Sequence, residues 1–211
     1  QETPSVKTMQ FVVDGGNPSF IPGQFININF PEFGEEGKSY SISSSTDDNH
    51  ISITVRAIGE FSNKLSNLKI GDEVMASLPY GYFYTENNDR KLIMIAGGIG
   101  VAPFRSMIID SLNNSKREIE LHYSNQVYEE IIFRQELDDL SKVNSNLSVK
   151  YYLTRQSKSK FINRRIDILD IPRSNDYDYL ICGSISFVRD FWRLITKSGI
   201  EEINVYTESF F

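Results

Sequence analysis

Residues 91–103 read Lys91-Leu92-Ile93-Met94-Ile95-Ala96-Gly97-Gly98-Ile99-Gly100-Val101-Ala102-Pro103. The apolar run 91–96 is typical of a strand buried on both faces of a parallel sheet. The glycines that follow predict a tight turn into a helix, and Pro103 suits the first helical residue. Such a turn lets backbone amides approach a pyrophosphate at the positive end of the helix. The stretch therefore indicates a nucleotide-binding strand–loop–helix unit, with a ligand-free tight turn as the alternative.

Beyond this stretch the chain alternates between helices and strands. A helix is predicted next, with apolar residues at 104, 107, 108 and 112 on one face. The pattern then predicts strands at 119–123, 149–153, 179–182 and 203–207 and helices at 130–140 and 187–196. This alternation predicts an α/β domain with a doubly wound parallel sheet over residues 89–211.

Residues 1–88 follow a different pattern. Apolar residues alternate in segments 8–13, 24–30 and 51–56, which is the period of a strand. Turn signals rich in glycine, proline and aspartate separate these segments, and only residues 63–68 look helical. We therefore predict an antiparallel β-barrel domain of the Greek-key type, followed by the α/β domain.

Composition narrows the possible functions. The chain has 211 residues, a formal net charge of −6 and one cysteine, Cys182. An acidic chain without a basic stripe argues against a nucleic-acid partner, and one cysteine cannot ligate an iron–sulfur cluster alone. His50 and His122 lack the spacing of a zinc site, so no metal site is predicted.

The chain also lacks the marks of targeting. No apolar run reaches the length of a membrane span, and no signal peptide opens the sequence, so we expect a cytoplasmic protein. The first residue is glutamine rather than methionine, which leads us to expect a start further upstream.

Eight short motifs occur in a characteristic order along the chain. They are Pro22-Gly23-Gln24-Phe25, Tyr40-Ser41, residues 59–62, Gly71-Asp72, residues 79–83, residues 97–103, Cys182-Gly183 and Glu208-Ser209-Phe210. In this order they resemble the ferredoxin–NADP reductase superfamily over nearly the whole chain. The resemblance implies FAD in the barrel and NADPH or NADH on the sheet. It further implies hydride transfer to the flavin and electron delivery to ferredoxin, flavodoxin or a small acceptor.

The resemblance also assigns a flavin site. Its residues are Lys38, Tyr40, Ser41, Ile42, Val55, Arg56, Gly59, Glu60, Phe61 and Ser62. Tyr40 would pack on the isoalloxazine and Ser41 would hydrogen-bond near flavin N5. Lys38 replaces the family's arginine, which keeps the charge but loses the bidentate fork, so Arg56 would share the diphosphate. Residues 59–62 match the family's phosphate loop, which favours FAD over FMN.

A nucleotide site follows in the same way. Gly98, Gly100 and Pro103 would line the pyrophosphate, and Cys182 with Gly183 would lie beside the nicotinamide. A small buried apolar residue is the alternative role for Cys182. Thr154 and Arg155 match a pair that binds the 2′-phosphate of NADP, and Lys160 matches a residue beside the adenine. NADPH is therefore favoured over NADH, although the basic run 155–165 is equally typical of a solvated face or of a dock for an acidic partner.

The last residues complete the set of candidates. Phe210 aligns with an aromatic residue that stacks on the flavin where nicotinamide must bind, and Glu208 aligns with the family's acidic partner. A hydrophobic plug is the alternative role for Phe210, and Phe211 is an extra residue in this alignment. Together with Ser41 and Cys182, Glu208 is a candidate catalytic residue.

The barrel and the overall role carry further expectations. Because the family's first strand lies upstream of residues 2–4, we expect six or fewer barrel strands, with the first one exposed or paired with a strand outside residues 1–211. Three functional hypotheses remain: a stand-alone reductase, a reductase subunit or domain of a larger electron-transfer complex, and a non-catalytic flavin or nucleotide module. The third is disfavoured by the pairing of Tyr40-Ser41 with Glu208, which implies an open face at flavin N5. A protein that only stores flavin needs no such face.

Overall fold

The computed structural model describes residues 1–16, 18–34, 36–86 and 89–210. The chain forms two compact units, one of residues 1–84 with 102–107, the other of residues 85–101 and from 108 onward. The predicted domain boundary lies at Asn87 and Asn88, which are outside the described residues, so this boundary stays a prediction.

The first unit is built from antiparallel strands. Their bounds are β1 Val6–Phe11, β2 Phe25–Asn29, β3 Lys38–Ser41, β4 Ile51–Arg56 and β5 Met75–Ala76. β1 pairs with β4, and the second sheet has the order β3-β2-β5. A bridge between Ile42 and Ile53 links the two sheets. The prediction of antiparallel strands is confirmed, and the described residues of this unit contain five strands, where six or fewer were expected.

Alternation along the strands fills the core of this unit. In β2, Ile26 and Ile28 are buried while their neighbours are partly exposed, as a period of two requires. In β4, Ile51, Ile53 and Val55 are buried, and the polar residues between them are buried as well. One of these, Thr54, satisfies its hydroxyl by donating to Ser43 Oγ at 3.0 Å.

The second unit is a five-stranded parallel sheet with helices. Its elements are β6 Lys91–Gly97, β7 Ile119–Asn125, α3 Arg134–Val143, β8 Leu147–Leu153, β9 Tyr177–Ser184, α4 Ile185–Lys197 and β10 Val205–Phe210, together with the second half of α2. Helix α2 is Ala102–Asn114, and its residues 102–107 belong to the first unit. The strand order is β10-β9-β6-β7-β8, and every pair is parallel. The order reverses between β6 and β9, so the predicted doubly wound sheet is confirmed.

Several of the predicted segments begin at other residues in the structure, and two of them show the physical reason. The helix predicted at 130–140 is α3, which begins only at Arg134, because Phe133 adopts a left-handed backbone conformation with φ of 56°. The strand predicted at 203–207 is β10, which begins at Val205 after a 3-10 turn, Glu202–Asn204. Apolar periodicity locates an element but not the local turn that starts it.

A buried acidic residue ties together the amino-terminal ends of three strands. Asp178 in β9 accepts hydrogen bonds from Arg90 Nε at 2.7 Å and from Arg117 Nη2 at 3.2 Å. The side chains of Asp178 and Arg117 are 4% and 2% exposed. Arg90 also donates to the carbonyl of Tyr177 and to Asn204 Oδ1. These bonds fix β9 beside the starts of β6 and β7.

A second buried charge lies on β7. Glu120 contacts Lys150 Nζ at 2.6 Å, Lys91 Nζ at 3.2 Å and His122 Nε2 at 3.0 Å, the last in a bent geometry. Burial by itself would raise the pKa of Glu120, but the contacts with His122 and Lys150 outweigh it and hold that pKa at about 2. His122 Nδ1 in turn lies 2.9 Å from the hydroxyl of Tyr152. The cluster therefore links the three strands β6, β7 and β8.

We expect the Asp178→Asn variant to lose about 3 kcal/mol of unfolding free energy. The guanidinium groups of Arg90 and Arg117 would stay in place but would lose the negative charge that compensates them. Urea denaturation checks this. The matched control is Asp139→Asn, which removes an exposed ion pair with Lys142 and should change stability by no more than about 0.5 kcal/mol. Equal unfolding midpoints for Asp178→Asn and wild type would contradict the structural role of this cluster.

Candidate functional site

The turn after β6 is held in place by backbone contact with β9. Residues 98–101 form a 3-10 turn, and Gly98 has φ of 55°, a left-handed conformation that favours glycine. A Cβ atom on Gly100 would lie 2.2 Å from the carbonyl oxygen of Cys182. Only glycine fits there, because that distance is far below van der Waals contact. Pro103 is the second residue of α2, where its missing N–H costs no helix hydrogen bond.

A glycine lies at the carboxyl end of β6 and another next to the last residue of β9. A Cβ on Gly183 would lie 2.9 Å from Phe187 Cδ1, and a Cβ on Gly97 would lie 3.1 Å from the same ring. Phe187 belongs to α4, whose first turn is capped by Ser184. The two glycines let the Phe187 ring pack directly on the backbone where the strand order reverses, the edge at which nucleotides bind in such folds.

Cys182 and Glu208 lie side by side on neighbouring strands. They are register partners in the parallel pair β9–β10. Burial raises the pKa of the Cys182 thiol well above its usual value, and the nearby Glu208 raises it further. Burial also raises the pKa of Glu208. The thiol therefore stays protonated near neutral pH, which excludes a role as a thiolate nucleophile.

Thr154 and Arg155 follow β8 at the other side of the same sheet edge. Both are exposed, and their backbone N–H groups donate to the carbonyls of Asn125 and Gln126 at 3.0 and 2.9 Å. Two strands, β7 and β6, separate them from Cys182 on β9. The predicted nucleotide residues thus share one edge but form two groups along it.

An aromatic cluster lies beside the second group. The ring of Phe161 is 5.4 Å from that of Tyr128 and 5.9 Å from that of Tyr151. Lys158 Nζ lies 3.7 Å from the centre of the Tyr128 ring. Lys160, the predicted neighbour of adenine, is exposed next to Phe161. This part of the edge combines cations with flat apolar faces.

Phe210 ends β10, the edge strand of the sheet. It is the register partner of Ser184 and is half-buried. Phe211, which the sequence analysis treated as an extra residue, lies outside the described residues.

In the first unit, β3 carries three of the predicted flavin residues. Lys38 is exposed, Tyr40 is half-buried and Ser41 is 6% exposed. The Tyr40 ring lies 6.4 Å from that of Phe61 at an interplanar angle of 22°, and burial raises the pKa of Tyr40 to about 12. Tyr40 therefore presents a neutral aromatic ring supported from behind by Phe61.

Three further predicted flavin residues differ in what they expose. Ile42 and Val55 are completely buried in the core, so only their main-chain groups can contact a ligand. Arg56 ends β4, and its Nε atom is buried without a hydrogen-bond partner among the described residues. A buried guanidinium nitrogen without a partner is costly unless a ligand or water satisfies it.

Residues 59–62 differ from the predicted loop. Gly59 precedes helix α1, Glu60–Ser66, so the helical segment predicted at 63–68 begins earlier. The Ser62 hydroxyl accepts hydrogen bonds from the backbone N–H groups of Ile58 and Gly59, both at 3.0 Å. Phe61 is buried against Phe30, and Glu60 is exposed. The segment therefore presents the first turn of a helix, and its serine serves as a cap.

One polar residue at the sheet edge was missed from sequence. Asn125, the last residue of β7, is 5% exposed, and among the described residues neither its Nδ2 nor its Oδ1 has a hydrogen-bond partner. The only signal in the sequence was a polar residue directly after an apolar strand. Its missing partners are visible only in the folded chain.

Within the described ranges, no helix is both long and apolar enough to cross a membrane. Over the same part of the chain, no three or more histidine, cysteine, aspartate or glutamate side chains are grouped as metal ligands.

Each half of the chain matches a family of known proteins. Residues 2–84 match the family model described as oxidoreductase FAD-binding domain, and residues 94–192 match the oxidoreductase NAD-binding domain. A flavohemoprotein of Candida norvegensis is 28% identical over 88% of this chain, and the match covers 48% of that protein. A toluate 1,2-dioxygenase electron transfer component of Pseudomonas putida is 28% identical over 91% of this chain and 59% of its own length.

A solved structure agrees with the fold. A ferredoxin NADP+ reductase from Neisseria gonorrhoeae has a TM-score of 0.84, with 20% identity over 99% of this chain and 94% of its own. At this identity the likeness shows the fold alone. The two domain matches and the shared two-part architecture identify the family: this chain belongs to the ferredoxin–NADP reductase superfamily, with an FAD-binding domain and an NAD-binding domain.

Proposed function

We propose that this chain is an NAD(P)H-dependent flavoprotein reductase module that takes hydride onto FAD and delivers electrons to a separate acceptor. The observation that carries the proposal is the packing of Gly100 against the Cys182 carbonyl, which builds a bare backbone cradle where the strand order reverses. The same chain contains an FAD-binding domain. A nucleotide cradle and a flavin domain together supply what flavin reduction needs.

The residues of the first unit fit a flavin dinucleotide. The buried and unpartnered Arg56 Nε suits a diphosphate oxygen, with exposed Lys38 as a second cation. The half-buried Tyr40 ring offers a flat face for the isoalloxazine, and Ser41 offers a hydroxyl beside it. When bound, FAD supplies an acceptor for two electrons that can leave one at a time.

The residues of the second unit fit a nicotinamide dinucleotide. The left-handed turn at Gly98 and the close packing of Gly100 on the Cys182 carbonyl set the backbone at the start of α2, where N–H groups suit a pyrophosphate. Cys182 and Glu208 form a water-poor wall whose groups are held toward their neutral forms by burial. Such a wall can orient a nicotinamide ring without placing a competing charge beside it. We assign to Phe210 the role of a movable aromatic neighbour of this wall.

The acceptor is proposed to be a separate protein or domain. The chain spans about half the length of the curated flavohemoprotein that it matches, and 59% of the dioxygenase electron transfer component. Both relatives have names that describe redox assemblies. This favours a reductase domain or subunit that serves ferredoxin, flavodoxin or another redox partner over a stand-alone enzyme.

Anaerobic addition of NADPH or NADH should bleach the yellow colour of the FAD-loaded protein within a spectrophotometric titration. Release of the cofactor and its chromatographic identification should give FAD rather than FMN. A protein that holds flavin but is not bleached by either nucleotide would support the non-catalytic module instead.

We expect Ser41→Ala to slow flavin reduction about 10- to 100-fold, at or below the low end of the effect of losing a hydrogen-bond donor at a developing charge. Flavin affinity should fall less, because the hydroxyl is one contact among many. Stopped-flow reduction and fluorescence titration of FAD separate the two effects. Equal reduction rates in variant and wild type would remove Ser41 from the proposed role.

Arg155→Ala should narrow the preference for NADPH over NADH, because an exposed guanidinium after β8 can bind a 2′-phosphate bidentately. The comparison of kcat/KM for the two nucleotides measures it. Arg165→Ala, a change in the same basic run, is the control and should leave the ratio nearly unchanged. An equal change of the NADPH/NADH ratio in both variants would contradict a specific role of Arg155 and indicate a general effect of the positive charges.

A further inference from the structure

Asn125 lies at the nucleotide edge, and its buried side-chain polar atoms have no hydrogen-bond partner among the described residues. Its carboxamide has two donors and an acceptor, and neither Nδ2 nor Oδ1 has a partner among the described residues. A buried amide in this state destabilises the folded chain. Groups of this kind are rare in folded proteins, and each calls for a ligand, a water or a functional reason.

The position of Asn125 favours a ligand. It ends β7, between the ends of β6 and β8, at the carboxyl edge where ligands bind in open α/β sheets. The turn 98–101, which carries the glycine cradle, packs against β7. On the other side, the backbone carbonyl of Asn125 accepts the N–H of Thr154 at 3.0 Å. Asn125 thus joins the two groups of nucleotide residues along the edge.

The chemistry of the side chain narrows what it would bind. A carboxamide accepts from hydroxyls and donates to hydroxyl or phosphate oxygens, and it carries no charge. In related doubly wound folds an acidic residue in the comparable region binds the ribose 2′-hydroxyl and disfavours a 2′-phosphate. The uncharged side chain of Asn125 can lie beside either a ribose 2′-hydroxyl or a 2′-phosphate. It therefore suits a nucleotide that offers ribose or phosphate oxygens to one donor and one acceptor.

We propose that the Asn125 carboxamide is a hydrogen-bonding ligand of the ribose–phosphate part of the bound nicotinamide nucleotide, for NAD and NADP alike. The inference rests on the proposed function, since it needs a nucleotide at this edge. In the free chain the amide atoms are covered, so a small rotation of the side chain or of the exposed Thr154–Arg155 turn accompanies binding.

The test separates binding from folding. FAD-loaded wild type, Asn125→Leu and Asn125→Ala are titrated with NAD+ and with NADP+ by calorimetry, so that no turnover is involved. Both variants should bind both nucleotides about tenfold more weakly, the effect of one or two lost hydrogen bonds. The Tm of nucleotide-free Asn125→Leu should equal or exceed that of wild type, because an unsatisfied amide is replaced by an apolar side chain of similar size.

Ser66→Ala is the matched control. The Ser66 hydroxyl is also buried without a partner among the described residues, but it lies on α1 in the first unit. Its removal should leave both nucleotide affinities unchanged.

The outcomes distinguish the two proposals. Unchanged affinities in folded Asn125→Leu and Asn125→Ala, with normal binding by wild type, would overturn the role of Asn125 and leave the proposed function standing. A lower affinity for only one of NAD+ and NADP+ would overturn the claim that Asn125 binds both nucleotides. A flavin-loaded wild type that binds neither NAD+ nor NADP+ would overturn the nucleotide site itself, and with it this inference.

Discussion

The contact between the Gly100 backbone and the carbonyl of Cys182 is the constraint on which the nucleotide half depends. A Cβ on Gly100 would lie 2.2 Å from that carbonyl oxygen, so any side chain there would push the turn away from β9. The close approach brings the start of α2 to the point where the strand order reverses.

The two ends of the parallel sheet have different physical roles. At the amino-terminal ends, Asp178 is fully engaged by Arg90 and Arg117, which stabilises the arrangement of the strands. At the carboxyl ends, side chains are absent at Gly97 and Gly183, and Asn125 lacks partners among the described residues. Asp178 thus has its partners within the chain, whereas the Asn125 side chain has none among the described residues.

Groups left unsatisfied are informative in both units. Arg56 Nε in the first unit and the Asn125 carboxamide in the second are buried polar atoms without partners in the described part of the chain. Each destabilises the free protein, and each lies beside residues assigned to a cofactor. Their placement is consistent with a protein whose binding sites are completed by FAD and a nicotinamide nucleotide. Burial is also the main reason that the pKa values of Cys182 and Glu208 are raised.

The sequence by itself determined the order of the elements. Apolar residues alternate along the strand segments of residues 1–88 and form continuous runs after residue 91, and such patterns depend only on which residues of a segment are buried. It also located the glycine turn, since only glycine permits that backbone path. The start of α3 at Arg134 and the use of Ser62 as a helix cap were not predictable, because both depend on local hydrogen bonds and on one left-handed residue, Phe133. Only the tertiary structure decided that Cys182 faces Glu208 and that Asn125 lacks a partner among the described residues, because both depend on strand register between segments far apart in the chain.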